Sequence, residues 1–244
     1  MVSSIYKKTF SVLMKRPFRL WGISLLAEFL CLVAYAGFIG VPAAAFCAAL
    51  LLSASMSMIF LNSYRTGLEP KTSYLFASFK KDRILRVLGG MAWMQLWIFL
   101  WSLIPIVGIV FGIIRMYEYR FVPYILMTRD DVKPTDAIKI SKQETMGYKG
   151  KMFGADILLG AVYLGVFLVF TLLGEIPYLG VLFRILWVLI AIAYGLLAPL
   201  FSGIMHAAFY VEIQNRRAAG SWHPAAPARP DWPTPPVQPV QPSA

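Results

Sequence analysis

The chain has 244 residues, of which 59% are hydrophobic and only 14% are charged, and its formal net charge is +11. Soluble domains carry about 25% charged residues, and the apolar residues here form runs of about 20, enough to cross a hydrocarbon core of roughly 30 Å. Composition therefore excludes a soluble domain and predicts an all-α polytopic membrane bundle. The basic residues lie in short loops beside the apolar runs, which is typical of topology signals rather than of a nucleic-acid surface.

About six transmembrane helices in three hairpins are predicted between residues 1 and 213. In chain order the spans are residues 20–39, 43–61, 87–104, 107–127, 152–173 and 186–211. The first span follows a basic segment, as a signal peptide would, but Glu28 interrupts its apolar core and a second run follows at once. We therefore expect an uncleaved span.

The segments around these spans carry further expectations. Residues 73–88 mix aromatic and basic residues, which is typical of an amphipathic helix at the interface. Trp93, Trp97 and Trp101 share one helical face and predict a packing or interfacial stripe. Residues 178–185 are expected to lie at the interface before the last span, where Pro199 predicts a kink.

The distribution of lysine and arginine predicts the orientation. All but three of the 23 Lys and Arg residues lie at the N-terminus, in the connectors 62–86 and 128–151, or in the C-terminal tail. The alternate turns, near Gly40, near Pro105 and at residues 173–180, hold none. The positive-inside rule then places both termini in the cytoplasm. We expect the lipid bilayer, with anionic headgroups at the basic loops, as the main partner, and a membrane-protein partner as a further option.

Residues 214–244 differ in composition from the rest of the chain. Prolines recur at every third position from Pro224 to Pro242, which matches the three residues per turn of a polyproline II helix. A disordered, semi-rigid cytoplasmic tail is the simpler interpretation. A docking ligand for a proline-binding domain is the alternative.

The centre of the chain resembles a known family. The segment from Tyr117 to Leu126, the Asp136-Ala-Ile-Lys-Ile-Ser141 segment and the Met146-Gly-Tyr-Lys-Gly-Lys-Met-Phe153 segment carry the resemblance. These segments resemble the bacterial integral-membrane family known as domain-of-unknown-function family nine-seven-five. The resemblance covers roughly residues 73–212. It implies a six-span protein of a bacterial cytoplasmic membrane and no established activity.

Six ionisable residues fall inside the predicted spans: Glu28, Arg115, Glu118, Arg120, Asp156 and His206. At about 1.5 Å per residue, Glu28 lies roughly 12 Å and Arg115 roughly 18 Å from the inner boundary, and Arg120, Asp156 and His206 lie within about 6 to 11 Å of it. An unpaired charge at such a depth costs at least about 2.5 to 3.5 kcal/mol. We therefore expect Arg115 to pair with Glu28 or Glu118, and Arg120 to lie near Asp156.

Two roles are open for this polar cluster. It holds the fourth span against its neighbours, or it lines a site for an anionic or cationic solute. No metalloprotease helix, nucleophile elbow or phosphate loop occurs in the sequence, so no cofactor, metal or catalytic activity is predicted. The prediction is a non-enzymatic membrane protein that acts through lipids or protein partners. A small transporter or transporter accessory subunit is the alternative.

Overall fold

A computed structural model describes residues 2–15, 17–37, 42–67, 71–104, 107–176 and 178–219. Within these ranges the chain forms helices and no strand. The helices are α1 (Val2–Lys15), α2 (Pro17–Gly37), α3 (Pro42–Thr66), a 3₁₀ helix (Thr72–Phe79), α4 (Ile84–Ser102), α5 (Val107–Glu118), α6 (Val122–Thr128), α7 (Pro134–Thr145), α8 (Lys149–Leu173) and α9 (Gly180–Ala218). The all-α prediction is confirmed for the described residues. Residues 214–218 of the predicted tail belong to α9, and the rest of the tail from residue 220 and the turn at Gly40 lie outside the described residues.

Four of the described helices are long and apolar enough to cross a membrane: α3, α4, α8 and α9. A fifth candidate combines α1 and α2, whose axes differ by 87°. The membrane-protein class is therefore supported by helix length and composition. The number of spans is at least four on this criterion, and the six-span arrangement stays a prediction.

The predicted fourth span, residues 107–127, is not one helix. α5 ends at Glu118, and α6 begins at Val122, after three intervening residues. With 12 residues, α5 is about 18 Å long and is too short to cross a core of roughly 30 Å alone. The apolar composition of this stretch concealed the break, because apolar side chains pack equally well around a turn that is buried in protein.

The last helix and the second connector also differ from the prediction. Residues 180–185 belong to α9, a helix of 39 residues that continues through Pro199, so they are continuous with the predicted sixth span, and their position at the interface stays a prediction. The 3₁₀ helix, rather than an amphipathic α-helix, occupies residues 72–79 and buries Leu75 and Ser78. Trp93 and Trp97 make an edge-to-face contact, whereas Trp101 stacks on Phe111 of α5.

The core lies at one end of the bundle, where α3 packs against the 3₁₀ helix, α6 and α9, and α7 packs against α6. We call this the basic end, because it carries the lysine- and arginine-rich connectors. The C-terminal half of α9 contributes Leu200, Ile213 and the buried run from Ile204 to Tyr210, together with Phe121 and Ile125. At the opposite end, the most apolar windows of α8 and α9 have no buried residue. These helices therefore present apolar surface that suits contact with lipid.

Close packing at the basic end depends on small residues. A Cβ on Gly90 of α4 would lie 2.5 Å from Leu126 Cδ1 of α6, whereas a Cβ on the neighbouring Gly89 would meet nothing closer than 3.9 Å. Leu126 is fully buried. Gly90 therefore allows α4 to lie directly against α6, in the way small residues allow helices to approach in membranes.

Candidate functional site

The turn between α5 and α6 is held by side chains of α7. The Phe121 N–H donates to Ser141 Oγ at 3.2 Å, and the Ser141 hydroxyl donates to the Glu118 carbonyl at 2.7 Å. Thr145 Oγ1 reaches the same carbonyl at 3.3 Å. Ser141 and Thr145 are fully buried. Backbone groups left without helical partners are costly in an apolar interior, so α7 makes the break between α5 and α6 tolerable.

Glu118, the last residue of α5, forms ion pairs with two cations. Its carboxylate accepts from the Arg115 guanidinium and, at 2.6 Å, from Lys149 Nζ at the start of α8. Glu118 is 4% exposed. The Arg115 guanidinium also lies 4.8 Å from the centre of the Trp101 ring. Of the two partners predicted for Arg115, the structure places Glu118 beside it.

Asp156, His206 and Arg120 form a second chain of polar contacts. His206 Nε2 lies 3.2 Å from Asp156 Oδ2, and His206 Nδ1 lies 3.1 Å from an Arg120 Nη2. The Tyr117 hydroxyl donates to the same Asp156 oxygen at 2.7 Å. His206 is 1% exposed. The imidazole of His206 therefore bridges Arg120 and Asp156, which do not form a direct ion pair.

The imidazole of His206 has more neighbours than one protonation state can satisfy. Nδ1 lies 2.7 Å from the Ser202 carbonyl oxygen, which requires a proton on Nδ1, and 3.1 Å from the Arg120 nitrogen, which requires a lone pair there. A neutral ring with its proton on Nε2 bonds Asp156 and accepts from Arg120. A doubly protonated ring bonds Asp156 and Ser202 and gives up the contact with Arg120.

Arg120 and His206 face a cavity of about 480 Å³ between α3, α4, the α5–α6 turn and α9. We call it the Arg120 cavity. The lining includes polar side chains, those of Ser53, Ser57, Gln95, Ser202 and Tyr119. It is also rich in methionine, with Met56, Met91, Met94 and Met116. Its volume lies within the range of about 300 to 1,000 Å³ that small-molecule sites occupy.

Glu28 does not join either group of contacts. It is exposed on α2, and no ion pair to it occurs among the described residues. The structure thus brings Arg115 and Glu118 together, and Arg120, Asp156 and His206 together. The two sets meet at α5, where Tyr117 and Glu118 are neighbours in sequence.

A third polar cluster, which the sequence did not indicate, surrounds Glu144 of α7. Glu144 is 0% exposed, and its Oε1 accepts from Arg129 at 2.7 Å, from Gln214 at 3.0 Å and from Arg217 at 3.2 Å. Burial alone would lower the pKa of Arg129, but the hydrogen bond and charge of Glu144 raise it above its usual range. The guanidinium therefore stays charged, and the cluster ties α7 to α9.

The signal for Glu144 was present in the spacing of α7. Ala137, Ile138, Ser141, Glu144 and Thr145 are the buried residues of this helix, and they recur at the intervals of one helical face. The charge content of α7 alone predicts a connector that is exposed to solvent. The helical period, rather than the composition, marks Glu144 as an inward-facing carboxylate.

Comparisons with known proteins identify no relative of this chain. None of the family models, curated proteins or solved structures compared with this chain matches it. Among the described residues, no group of three His, Cys, Asp or Glu side chains could hold a metal ion.

Proposed function

We propose that this chain is a non-enzymatic protein of a bacterial cytoplasmic membrane that binds a small molecule in the Arg120 cavity, as a small transporter or a transporter accessory subunit does. The observation that carries the proposal is the break between α5 and α6, which places Arg120 on the wall of a cavity of about 480 Å³. Broken helices within membranes are tolerated where they line a cavity or are buried in protein. Transporters place their binding sites at such breaks.

The orientation belongs to the same proposal. α3, α4, α8 and α9 supply four spans, α2 with its 21 residues supplies a fifth, and the α5–α6 segment supplies the sixth. The excess of lysine and arginine at one end supports a cytoplasmic basic end with both termini inside. The resemblance to domain-of-unknown-function family nine-seven-five is consistent with this topology and stays a proposal.

We place α1 at the surface of the inner leaflet. Its buried residues Ile5, Thr9 and Leu13 recur at every fourth position, and it packs against α9. Its exposed side carries Phe10, Met14 and Lys7. Apolar side chains next to lysines suit the boundary between acyl chains and anionic headgroups.

Thiol labelling tests the proposed function. In a chain whose Cys31 and Cys47 are replaced by alanine, single cysteines at Ser57 and Gln95 lie on the cavity wall, and one at Val162 lies on the exposed apolar side of α8. A cavity that admits a solute is hydrated when empty, since Arg120 requires water there. We expect a water-soluble maleimide to modify the two cavity cysteines much faster than the Val162 control. Equally slow modification of all three cysteines would contradict the proposal that the cavity binds a ligand.

The second candidate function is a membrane protein that acts by binding other membrane proteins. The observation that favours it is the exposed apolar surface of α8 and α9, whose most apolar windows have no buried residue. Protected cavity cysteines, together with crosslinking between α8 surfaces of neighbouring molecules, would favour this candidate instead.

A further inference from the structure

The charges around the Arg120 cavity indicate what it binds. Arg120 is half-buried and donates to His206 Nδ1 at 3.1 Å. Among the described residues, no carboxylate lies within ion-pair distance of its guanidinium, whereas Arg115, Arg129, Arg83 and Arg86 each have one. Arg120 is therefore a cation on the cavity wall without a direct ion pair, and the Asp156 carboxylate reaches it only through His206.

The rest of the cavity lining adds no negative charge. Its polar members are serine, glutamine, tyrosine and histidine side chains, and no Asp or Glu from the described part of the chain lines it. Asp156 lies behind His206, and His206 separates it from Arg120. A cation that entered would meet Arg120 without compensation, so the cavity selects against positive charge. An uncharged ligand would leave the guanidinium without an ionic partner.

The apolar residues of the lining bear on the shape of the ligand. Met56, Met91, Met94 and Met116 come from three different segments, α3, α4 and α5, and Phe60 and Ile98 line the cavity as well. We call these six residues the methionine wall. Methionine side chains are flexible and polarisable, and they adapt to apolar groups of varied shape. The cavity thus pairs one cationic group with a deformable apolar wall.

We propose that the Arg120 cavity binds an anionic amphiphile, with its carboxylate or phosphate on the Arg120 guanidinium and its apolar chain along the methionine wall. A guanidinium binds either group through two parallel N–H donors. This inference rests on the proposed binding function and adds the ligand class to it. The two sources of such chemistry, a membrane lipid or fatty acid and a free small anion, are separated by the test.

Thermal unfolding of the purified protein in a neutral detergent measures binding, because a ligand of the native state raises the midpoint. The probes are laurate, dodecyl phosphate, inorganic phosphate, and dodecyltrimethylammonium as the cation of matched chain. We expect laurate and dodecyl phosphate to raise the midpoint and dodecyltrimethylammonium not to do so. Equal stabilisation by inorganic phosphate would identify a free anion instead of an amphiphile, and stabilisation by the cation would overturn the proposal.

Variants assign the effect to Arg120. Arg120→Met should weaken laurate binding by roughly tenfold or more, the value of a charge-assisted hydrogen bond. Lys142→Met, which removes an exposed cation of α7 outside the cavity, should bind laurate as the parent does. Equal affinity of Arg120→Met and parent would overturn the proposal.

A second measurement covers the case in which Arg120→Met fails to fold. In the Ser57→Cys protein, which retains Arg120, laurate should slow maleimide modification and dodecyltrimethylammonium should not. A cavity cysteine that reacts readily and that no anion protects would contradict the ligand class while leaving the proposed binding function intact. Cysteines that react no faster than the Val162→Cys control would contradict both.

Discussion

At the scale of single residues, the two buried glutamates of the basic end, Glu118 and Glu144, are each paired with two cations. Glu118 accepts hydrogen bonds from Arg115 and Lys149, and Glu144 accepts from Arg129, Arg217 and Gln214. A buried ion pair is costly to break, because the group left behind stays desolvated and unpaired. Arg120 differs from these residues, since its contact is an imidazole. The paired cations therefore serve to hold helices together, whereas Arg120 is available to bind a ligand.

The Glu144 cluster gives a direct test of this view. Glu144→Gln keeps the shape of the side chain but leaves Arg129 and Arg217 without their shared carboxylate. We expect a loss of about 3 kcal/mol in the free energy of unfolding, or roughly 6 to 12 °C in the thermal midpoint.

The matched control for this substitution is Asp136→Asn, also on α7. Asp136 pairs with Lys139 at 3.0 Å, and the lysine side chain is 76% exposed. Exposed pairs of this kind contribute about 0 to 1 kcal/mol. Equal midpoints for the two variants would show that the Glu144 cluster does not hold α7 in place.

Some residue-level contacts follow from spacing and others do not. Arg115 and Glu118 are three positions apart on one helix, so their contact can be expected from the sequence. Depth arithmetic places Arg120, Asp156 and His206 at one level but does not say which helix faces which. The insertion of His206 between the other two therefore appears only in three dimensions. Glu28 lies at a suitable depth and faces away.

At the scale of elements, the apolar runs predict where long helices lie. α3, α8 and the C-terminal part of α9 cover the predicted spans 43–61, 152–173 and 186–211. The break between α5 and α6 could not be read from hydropathy, because it depends on Ser141 and Thr145 from another helix. A turn that satisfies its backbone through tertiary contacts leaves little trace in local composition.

Packing between α4 and α6 makes a prediction at this scale. Gly90→Ala places a methyl group 2.5 Å from the buried Leu126, and overpacking of this kind costs about 1 to 3 kcal/mol. We expect a lower thermal midpoint for this variant.

The adjacent Gly89 is its control. A Cβ at Gly89 would make only an ordinary van der Waals contact with Pro134 at 3.9 Å, so Gly89→Ala should be neutral or stabilising by up to about 1 kcal/mol, because alanine favours the helix. If Gly90→Ala is as stable as Gly89→Ala, α4 and α6 are not in close contact.

At the scale of the whole molecule, the fold separates two regions. The basic end is densely packed and polar in its contacts, whereas the far halves of α8 and α9 are apolar and exposed. A protein in water would not leave such a surface uncovered. The bilayer covers it in our account, and the Arg120 cavity then lies in the half of the membrane next to the basic end.

The orientation of the molecule is testable with cysteines at its two ends. In the chain without Cys31 and Cys47, we expect Glu175→Cys, in the exposed turn before α9, to react with an impermeant maleimide in intact cells. Ser3→Cys and Asn215→Cys should react only after the membrane is opened, because the proposed orientation has both termini inside. Labelling of either terminal position in intact cells would contradict the proposed orientation.

Native mass spectrometry at a laurate concentration close to the dissociation constant of the parent protein tests the central claim most directly. We predict one bound laurate on a large fraction of the parent protein and of Lys142→Met, and a much smaller bound fraction of Arg120→Met. Equal occupancy of the parent and Arg120→Met, or binding to neither, would contradict the assignment of the cavity as an anion site.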